Sequence, residues 1–143
     1  MIRFKINRLP NKKEVSGLKL KPVILTNNPL TKSSLEDKYD LLYKPQASLM
    51  DILIMARDYI HRGHRLLTHP LMGSIKPNQT PYKSIAISRD CFEEVDLLSV
   101  EIIEESILKA DQLIKNSKTL IYTDKVLRDF SLIDFDLIKN ALN

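Results

Sequence analysis

The sequence has few of the residue types on which several common functional motifs depend. It contains one cysteine, three glycines and no tryptophan among 143 residues. A single cysteine, Cys91, excludes an internal disulfide and is typical of a chain in a reducing cytoplasm. Three glycines are too few for a dinucleotide fingerprint or a phosphate-binding P-loop. A nucleotide-cofactor enzyme is therefore disfavoured, and we predict no cofactor.

Long apolar segments are also missing. No stretch approaches the ~20 apolar residues that a membrane-spanning helix needs. The first eight residues alternate charged and apolar side chains and lack the apolar core of a signal peptide. We therefore expect a cytoplasmic protein without membrane contact.

The charge is modest overall but unevenly distributed. Residues 1–90 carry 16 Lys and Arg against 7 Asp and Glu, whereas residues 91–143 carry 6 against 11, for a net charge of +4. Such asymmetry is compatible with an anion-binding face. Aromatic residues make up only 6% of the chain and are not interleaved with the basic ones. Nucleic-acid binding through the basic N-terminal segment is therefore the weakest hypothesis.

Apolar periodicity predicts short strands that alternate with helices. Strands are predicted at 23–26, 40–43, 65–68 and 84–88, and helices at 48–62 and 100–115. This alternation favours a single α/β domain over residues 22–143, with a mostly parallel sheet of about four short strands flanked by helices. Residues 1–21 are predicted to be an N-terminal β extension.

Capping signals place the helix ends. Ser48 and Asp51 have capping-box spacing, and Gly63 is suited to stop the same helix. A short helix is predicted to begin at Ser33 or Ser34, and Ser99 is a candidate cap for the helix that starts near Val100. The C-terminal tail is predicted to be helical, with a cap at Ser131 and Asp134. The tail packs either on its own domain or on a second subunit as a homodimer.

Three of the predicted strands end in polar residues followed by proline. If these strands are parallel, their polar ends meet at one edge of the sheet, where ligands bind in open α/β folds. The loop that follows, through residue 83, has lysines for charge, hydroxyls for hydrogen bonding and a glycine for close approach. The predicted ligand-binding residues are Thr26, Asn27, Asn28, Thr68, His69, Gly73, Ser74, Lys76, Thr80, Tyr82 and Lys83. The alternative is a rigid connector whose polar groups bond to one another.

The three histidines do not form a known metal pattern. His61, His64 and His69 match no standard zinc spacing, and we predict no metal site. His69, at a predicted strand end, is the candidate catalytic residue for acid–base chemistry. However, no nucleophile motif and no neighbouring carboxylate accompany it in the sequence.

The stretches Thr26-Asn27-Asn28-Pro29 and Arg57 to Ser84, together with Ile133-Asp134-Phe135-Asp136, resemble the GrdX family. These small proteins are encoded with the glycine, sarcosine and betaine reductase systems of amino-acid-fermenting anaerobes. The resemblance covers roughly residues 22–143 and leaves residues 1–21 as an addition. It carries over no catalytic residues. The reductases use selenocysteine and thiol chemistry, so a chain with a single cysteine is not expected to be a reductase subunit.

Two functions are consistent with these observations. The first is an accessory or regulatory protein of the glycine reductase pathway that binds a small anionic molecule or a pathway component through the 68–84 loop. The alternative is a small enzyme that acts on a carboxylate or phosphate compound, with His69 as acid–base and Lys76 or Lys83 as the anion clamp.

Overall fold

The structure is a computed structural model that describes residues 20–73 and 75–143. Three strands and four helices occur in these residues. In chain order they are β1 (Pro22–Thr26), α1 (Pro29–Leu35), β2 (Asp40–Tyr43), α2 (Leu49–His61), β3 (Ser84–Ser88), α3 (Leu97–Lys115) and α4 (Asp124–Leu142). The chain is therefore α/β, as the alternation of strands and helices predicts.

The sheet is mixed rather than mostly parallel. Its order is β2-β1-β3. Strand β1 pairs in parallel with β2 and antiparallel with β3. The prediction of about four mostly parallel strands is therefore wrong in number and in direction. Because β1 is central and covered on both faces, its sequence from Val23 to Leu25 is continuously apolar.

The predicted strand at 65–68 is reduced to a single antiparallel bridge between Leu66 and Ile87. The ladder ends there because the hydroxyl of Thr68, and not a backbone carbonyl, accepts the hydrogen bond from Ala86 N at 3.0 Å. The segment runs antiparallel to β3, which is itself antiparallel to β1. Its C-terminal end therefore lies at the same edge of the sheet as the ends of β1 and β2.

Helices cover both faces of the sheet. Helix α2 packs on β1, β3 and α3, whereas α4 packs on α1 and β3. Side chains alternate along the strands, so Val23 and Leu25 point to the α2 face and Ile24 points to the α4 face. Three layers result, with the sheet between two pairs of helices.

The helix termini confirm some capping predictions and correct others. The capping box of α2 is present, with Ser48 N donating to Asp51 Oδ2 at 2.9 Å and Asp51 N donating to Ser48 Oγ at 3.0 Å. Gly63 has a φ of +115°, as its stop position requires. Helix α1 begins earlier than predicted, at Pro29, because Asn28 caps it. Similarly, Asp96 caps α3, and Ser99 lies within the helix.

The C-terminal tail forms one continuous helix, α4, capped by Thr123. Ser131 and Asp134 are therefore not at a helix start. Both are buried and face the sheet. Contact with a second subunit stays a prediction. The proposed β extension at residues 1–21 falls almost wholly outside the described residues.

Candidate functional site

The last residue of β1, Thr26, and the two residues after it, Asn27 and Asn28, are polar, and all three are buried. The Thr26 hydroxyl lies 2.7 Å from Ser84 Oγ of β3 and accepts a hydrogen bond from Asn28 N at 3.0 Å. Because β1 and β3 pair with Thr26 opposite Ser84, the two hydroxyls meet at the end of the ladder. This pair is the centre of a set of buried polar side chains, which we call the polar cluster: Thr26, Asn28, Ser84, Ser131 and Asp134.

Asn27 holds the end of the long loop against the sheet. Its amide nitrogen donates to the carbonyls of Ala47 and Pro81 at 3.0 and 2.8 Å. Its amide oxygen accepts from Lys83 N at 2.9 Å. One side chain thus binds the loop before α2 and the loop before β3, and it fixes the backbone at Lys83.

Asn28 is fully buried and connects α1 to α4. Its Oδ1 caps α1 by accepting from Leu30 N at 3.0 Å, and it also accepts from Ser131 Oγ at 2.8 Å. Its Nδ2 donates to Ser131 O at 2.8 Å and to Asp134 Oδ2 at 3.0 Å. These partners lie more than a hundred residues away along the chain, so Asn28 is a tertiary connection as much as a cap.

Asp134 is a buried carboxylate, 7% exposed, held by three hydrogen bonds. Ser84 N donates to its Oδ1 at 3.1 Å, and Ser84 Oγ donates to its Oδ2 at 2.7 Å. Asn28 Nδ2 is the third donor, also to Oδ2. All three donors are neutral, so the cluster gives the carboxylate hydrogen-bond partners but does not compensate its negative charge.

Lys83 is a cation whose charge interacts with that of this carboxylate. The residue is only 8% exposed. Burial lowers the pKa of its ammonium group, and the negative charge of Asp134 acts in the opposite direction. Within the described residues, its Nζ makes no hydrogen bond or ion pair. The Nζ atom is not fully buried, so the ammonium keeps some contact with water and is accessible to a ligand.

Lys83 and Asp134 line the same narrow cleft beneath the loop. Its walls are otherwise mainly apolar, with two hydroxyl side chains: Met72, Ile75, Thr80, Tyr82, Phe130, Ile133 and Leu137. The volume open to the centre of a water molecule is about 10 Å³, which is room for roughly one water. We call this space the Lys83 cleft.

Thr68, His69 and Lys76 are among the predicted ligand-binding residues that do not line the cleft. Thr68 is buried and its hydroxyl is used by Ala86 N, as described above. His69 is exposed, and its Nδ1 accepts a hydrogen bond from Leu71 N at 3.0 Å, which closes a local turn. Lys76 is also exposed on the loop surface.

Three of the predicted residues, Thr80, Tyr82 and Lys83, line the cleft. The Thr80 hydroxyl accepts from Tyr82 N at 3.2 Å. Burial, and then the neighbouring Tyr43, raises the pKa of the Tyr82 phenol. Gly73 has a φ of +87°, and a Cβ there would stand 2.8 Å from Leu137 of the cleft wall. Ser74 is outside the described residues.

Asp134, Ser84 and Ser131 were missed as candidate site residues. A signal for two of them is present in the sequence. Ser131, Asp134 and Ile138 follow helical spacing, so the two polar residues lie on the same stripe of α4 as a core isoleucine. A polar pair on an apolar stripe indicates a buried hydrogen-bonded group, whereas the cap interpretation assumed that the helix starts there.

The histidines are separated in the fold. Buried His64 makes a 2.8 Å hydrogen bond through Nδ1 to Ser88 O, and burial lowers its pKa. His61 lies 3.2 Å from Glu104 on the surface. Across residues 20–73 and 75–143, no group of three or more His, Cys, Asp or Glu side chains is placed to hold a metal ion.

A larger groove lies on the other side of the loop. It has a volume of about 450 Å³ and runs between the start of α2, residues 77–81 and the end of α3. The charged group in its lining, Lys118, is exposed. The groove thus lacks the buried opposite charges that distinguish the Lys83 cleft.

The fold and the cleft define a small three-layer α/β protein with a buried lysine and carboxylate at one edge of a mixed sheet. The chain belongs to the GrdX-like family, since the family model described as GrdX-like protein matches residues 23–143. This membership suggests an association with glycine reductase systems. The comparisons with curated proteins and with solved structures gave no match. None of the helices in the described residues has the length and apolar character needed to cross a membrane.

Proposed function

We propose that this protein is an accessory or regulatory component of a glycine reductase system that binds a small carboxylate-bearing molecule in the Lys83 cleft. Family membership supplies the pathway context. The observation that carries the ligand assignment is the buried Lys83 ammonium, which has no bound partner in the described residues. A carboxylate beside it would form a charge-assisted hydrogen bond in a site shielded from water.

The frame around Lys83 supports a binding role. Asn27 fixes the backbone on which Lys83 stands, with a hydrogen bond of 2.9 Å to its N–H. Thr80 and Tyr82 add hydroxyl groups to the same lining. Side chains held by hydrogen bonds lose little further freedom when a ligand binds, which favours affinity for small molecules.

The experiment is a calorimetric titration of the full chain with acetate, glycine and inorganic phosphate. We expect saturable binding of at least one carboxylate, and its loss in Lys83→Met, since the methionine keeps the side-chain length and removes the charge. Lys76→Met is the matched control, because Lys76 is an exposed lysine of the same loop. Binding that is equal in the two variants, or absent from the wild-type protein, would show that the proposal is wrong.

The alternative of a small enzyme with His69 as acid–base is not favoured by its surroundings. The imidazole is exposed, and its Nδ1 lone pair is occupied by Leu71 N. A general base must lie within hydrogen-bond reach of the proton that it removes, in a site that holds the substrate. His69 is not among the residues that line the Lys83 cleft.

A further inference from the structure

Two opposite charges line one small cleft, and this limits the class of ligand. Lys83 and Asp134 are both more than nine-tenths buried. They face the same space without forming an ion pair within 4.0 Å. A ligand that enters between them meets a cation on one side and a carboxylate on the other.

We infer that the ligand of the Lys83 cleft is a small zwitterion, with its carboxylate beside Lys83 and its cationic nitrogen beside Asp134. The inference rests on the proposed function and deepens it by naming the ligand class. A simple anion would satisfy Lys83 but place a second negative charge near Asp134, where like charges repel strongly at low dielectric. A simple cation would meet the reverse problem at Lys83. A zwitterion compensates both charges and adds no net charge to the cleft.

Asp134 has hydrogen-bonding capacity left for such a ligand. Its carboxylate oxygens offer about four lone-pair positions, and the cluster uses three of them, from Ser84 N, Ser84 Oγ and Asn28 Nδ2. One acceptor position remains for a ligand ammonium. The three existing hydrogen bonds hold the carboxylate in place, so it is preorganised for that contact.

The small volume of the cleft favours a small ligand. Space for about one water is open, so entry of a larger molecule requires the half-buried side chains of Met72 and Ile75 to move aside. The remaining walls, from Phe130, Ile133 and Leu137, are apolar and suit methyl groups better than polar side chains. Among zwitterionic amino acids, glycine needs the smallest displacement of these side chains, and amino acids with long side chains need the largest.

The first test is a competition series on the wild-type protein with glycine, acetate and methylamine. Acetate and methylamine each keep one of the two charges of glycine. We expect each to bind at least about tenfold more weakly than glycine, because each leaves one buried charge without its partner. Acetate or methylamine binding as tightly as glycine would overturn the inference.

A second test uses Asp134→Asn, which removes the negative charge and keeps a similar shape. We expect glycine binding to weaken by about tenfold and acetate binding to strengthen. The affinity of the variant for acetate should then approach or exceed its affinity for glycine. A purely structural role of Asp134 would weaken both ligands together, which would contradict the inference. Asp136→Asn, an exposed change on the same helix, is the matched control and should leave both affinities unchanged.

The outcomes separate this inference from the proposed function. If acetate and glycine bind equally and both need Lys83, the carboxylate site stands and the zwitterion assignment fails. If neither ligand shows binding that depends on Lys83, the proposed function fails and the inference fails with it. Should Asp134→Asn not fold, the wild-type series alone decides, since it needs no variant.

Discussion

The two faces of the sheet are built in different ways. The face under α2 and α3 is covered by an apolar core to which both helices and all three strands contribute, with Ile52, Leu53 and Ile60 fully buried. On the face under α1 and α4, the buried apolar cluster is only Ile24, Leu35, Ala86 and Ile138. The polar cluster lies on the same face, together with half-buried apolar side chains such as Phe135 and Leu142.

This difference separates packing from hydrogen bonding as sources of stability. On the α2 face, stability comes from apolar area removed from water, which needs no particular partner. On the α4 face, Asn28 and Ser84 must hydrogen-bond to Asp134, since a buried polar group without a hydrogen bond is costly. The second arrangement holds α4 in one position and places Lys83 beside a carboxylate.

The largest expected effect is on the α2 face. Ile52→Ala should lower the free energy of unfolding by about 4 kcal/mol, since Ile52 is fully buried and the change leaves a cavity. Urea denaturation followed by circular dichroism measures this loss. The ratio of glycine to acetate affinity should not change, because the residue lies on the opposite face from the cleft.

The control for this change is Leu108→Ala. Leu108 is 63% exposed on α3, so its truncation should alter stability by less than about 0.5 kcal/mol. Equal losses for the two variants would mean that the α2 face is not the packed core described here.

A smaller loss is expected on the α4 face. Asn28→Ala removes the cap of α1 and leaves Asp134 and Ser131 without one partner each. We expect a loss of about 3 kcal/mol, from a cap of about 1 kcal/mol and two or more buried hydrogen bonds. Denaturation midpoints give the stability, and hydrogen exchange of α4 amides should show faster opening of that helix in particular.

Asn140→Ala tests whether the position matters or only the residue type. Asn140 is on the exposed side of the same helix, and its replacement should be nearly neutral. If Asn28→Ala were as mild as Asn140→Ala, the polar cluster would not connect α1 to α4.

The elements that sequence reasoning predicted correctly are those with signals a few residues apart. The capping box at Ser48 and Asp51 and the stop at Gly63 are local, so the bounds of α2 follow from them. The direction of β3 has no such signal. Strand β3 follows a loop of more than twenty residues, and either direction is compatible with that length, so the parallel arrangement could not be distinguished from the mixed one.

The candidate site shows the same difference between residues with a local sequence signal and residues placed by tertiary packing. Thr26, Asn27 and Asn28 could be predicted because polar residues that end a buried strand lie at the sheet edge. Asp134 reaches this edge from 106 residues away, as its hydrogen bond with Asn28 shows. Its spacing from Ser131 fits a helix start as well as an inward stripe, and only tertiary packing decides between the two.

The smallest predicted effect has the opposite sign. Lys83→Met should raise the free energy of unfolding near neutral pH by about 1 kcal/mol, since it replaces a buried ammonium without a bound partner by an apolar side chain of similar length. Burial lowers the pKa of Lys83 in the folded protein below its ordinary value of 10.5. Between the two values the unfolded chain binds more protons, so wild-type stability increases with pH in that interval.

The stability gained by Lys83→Met should therefore shrink as the pH rises toward 10.5, because the wild-type amine loses its charge in the folded state first. Denaturation curves at several pH values measure this directly, and Lys76→Met, at an exposed position, should show no comparable gain. A loss of stability in Lys83→Met at neutral pH would mean that the ammonium is already compensated. In that case Lys83 would need no ligand group to compensate its charge, and the ligand assignment would lose its support.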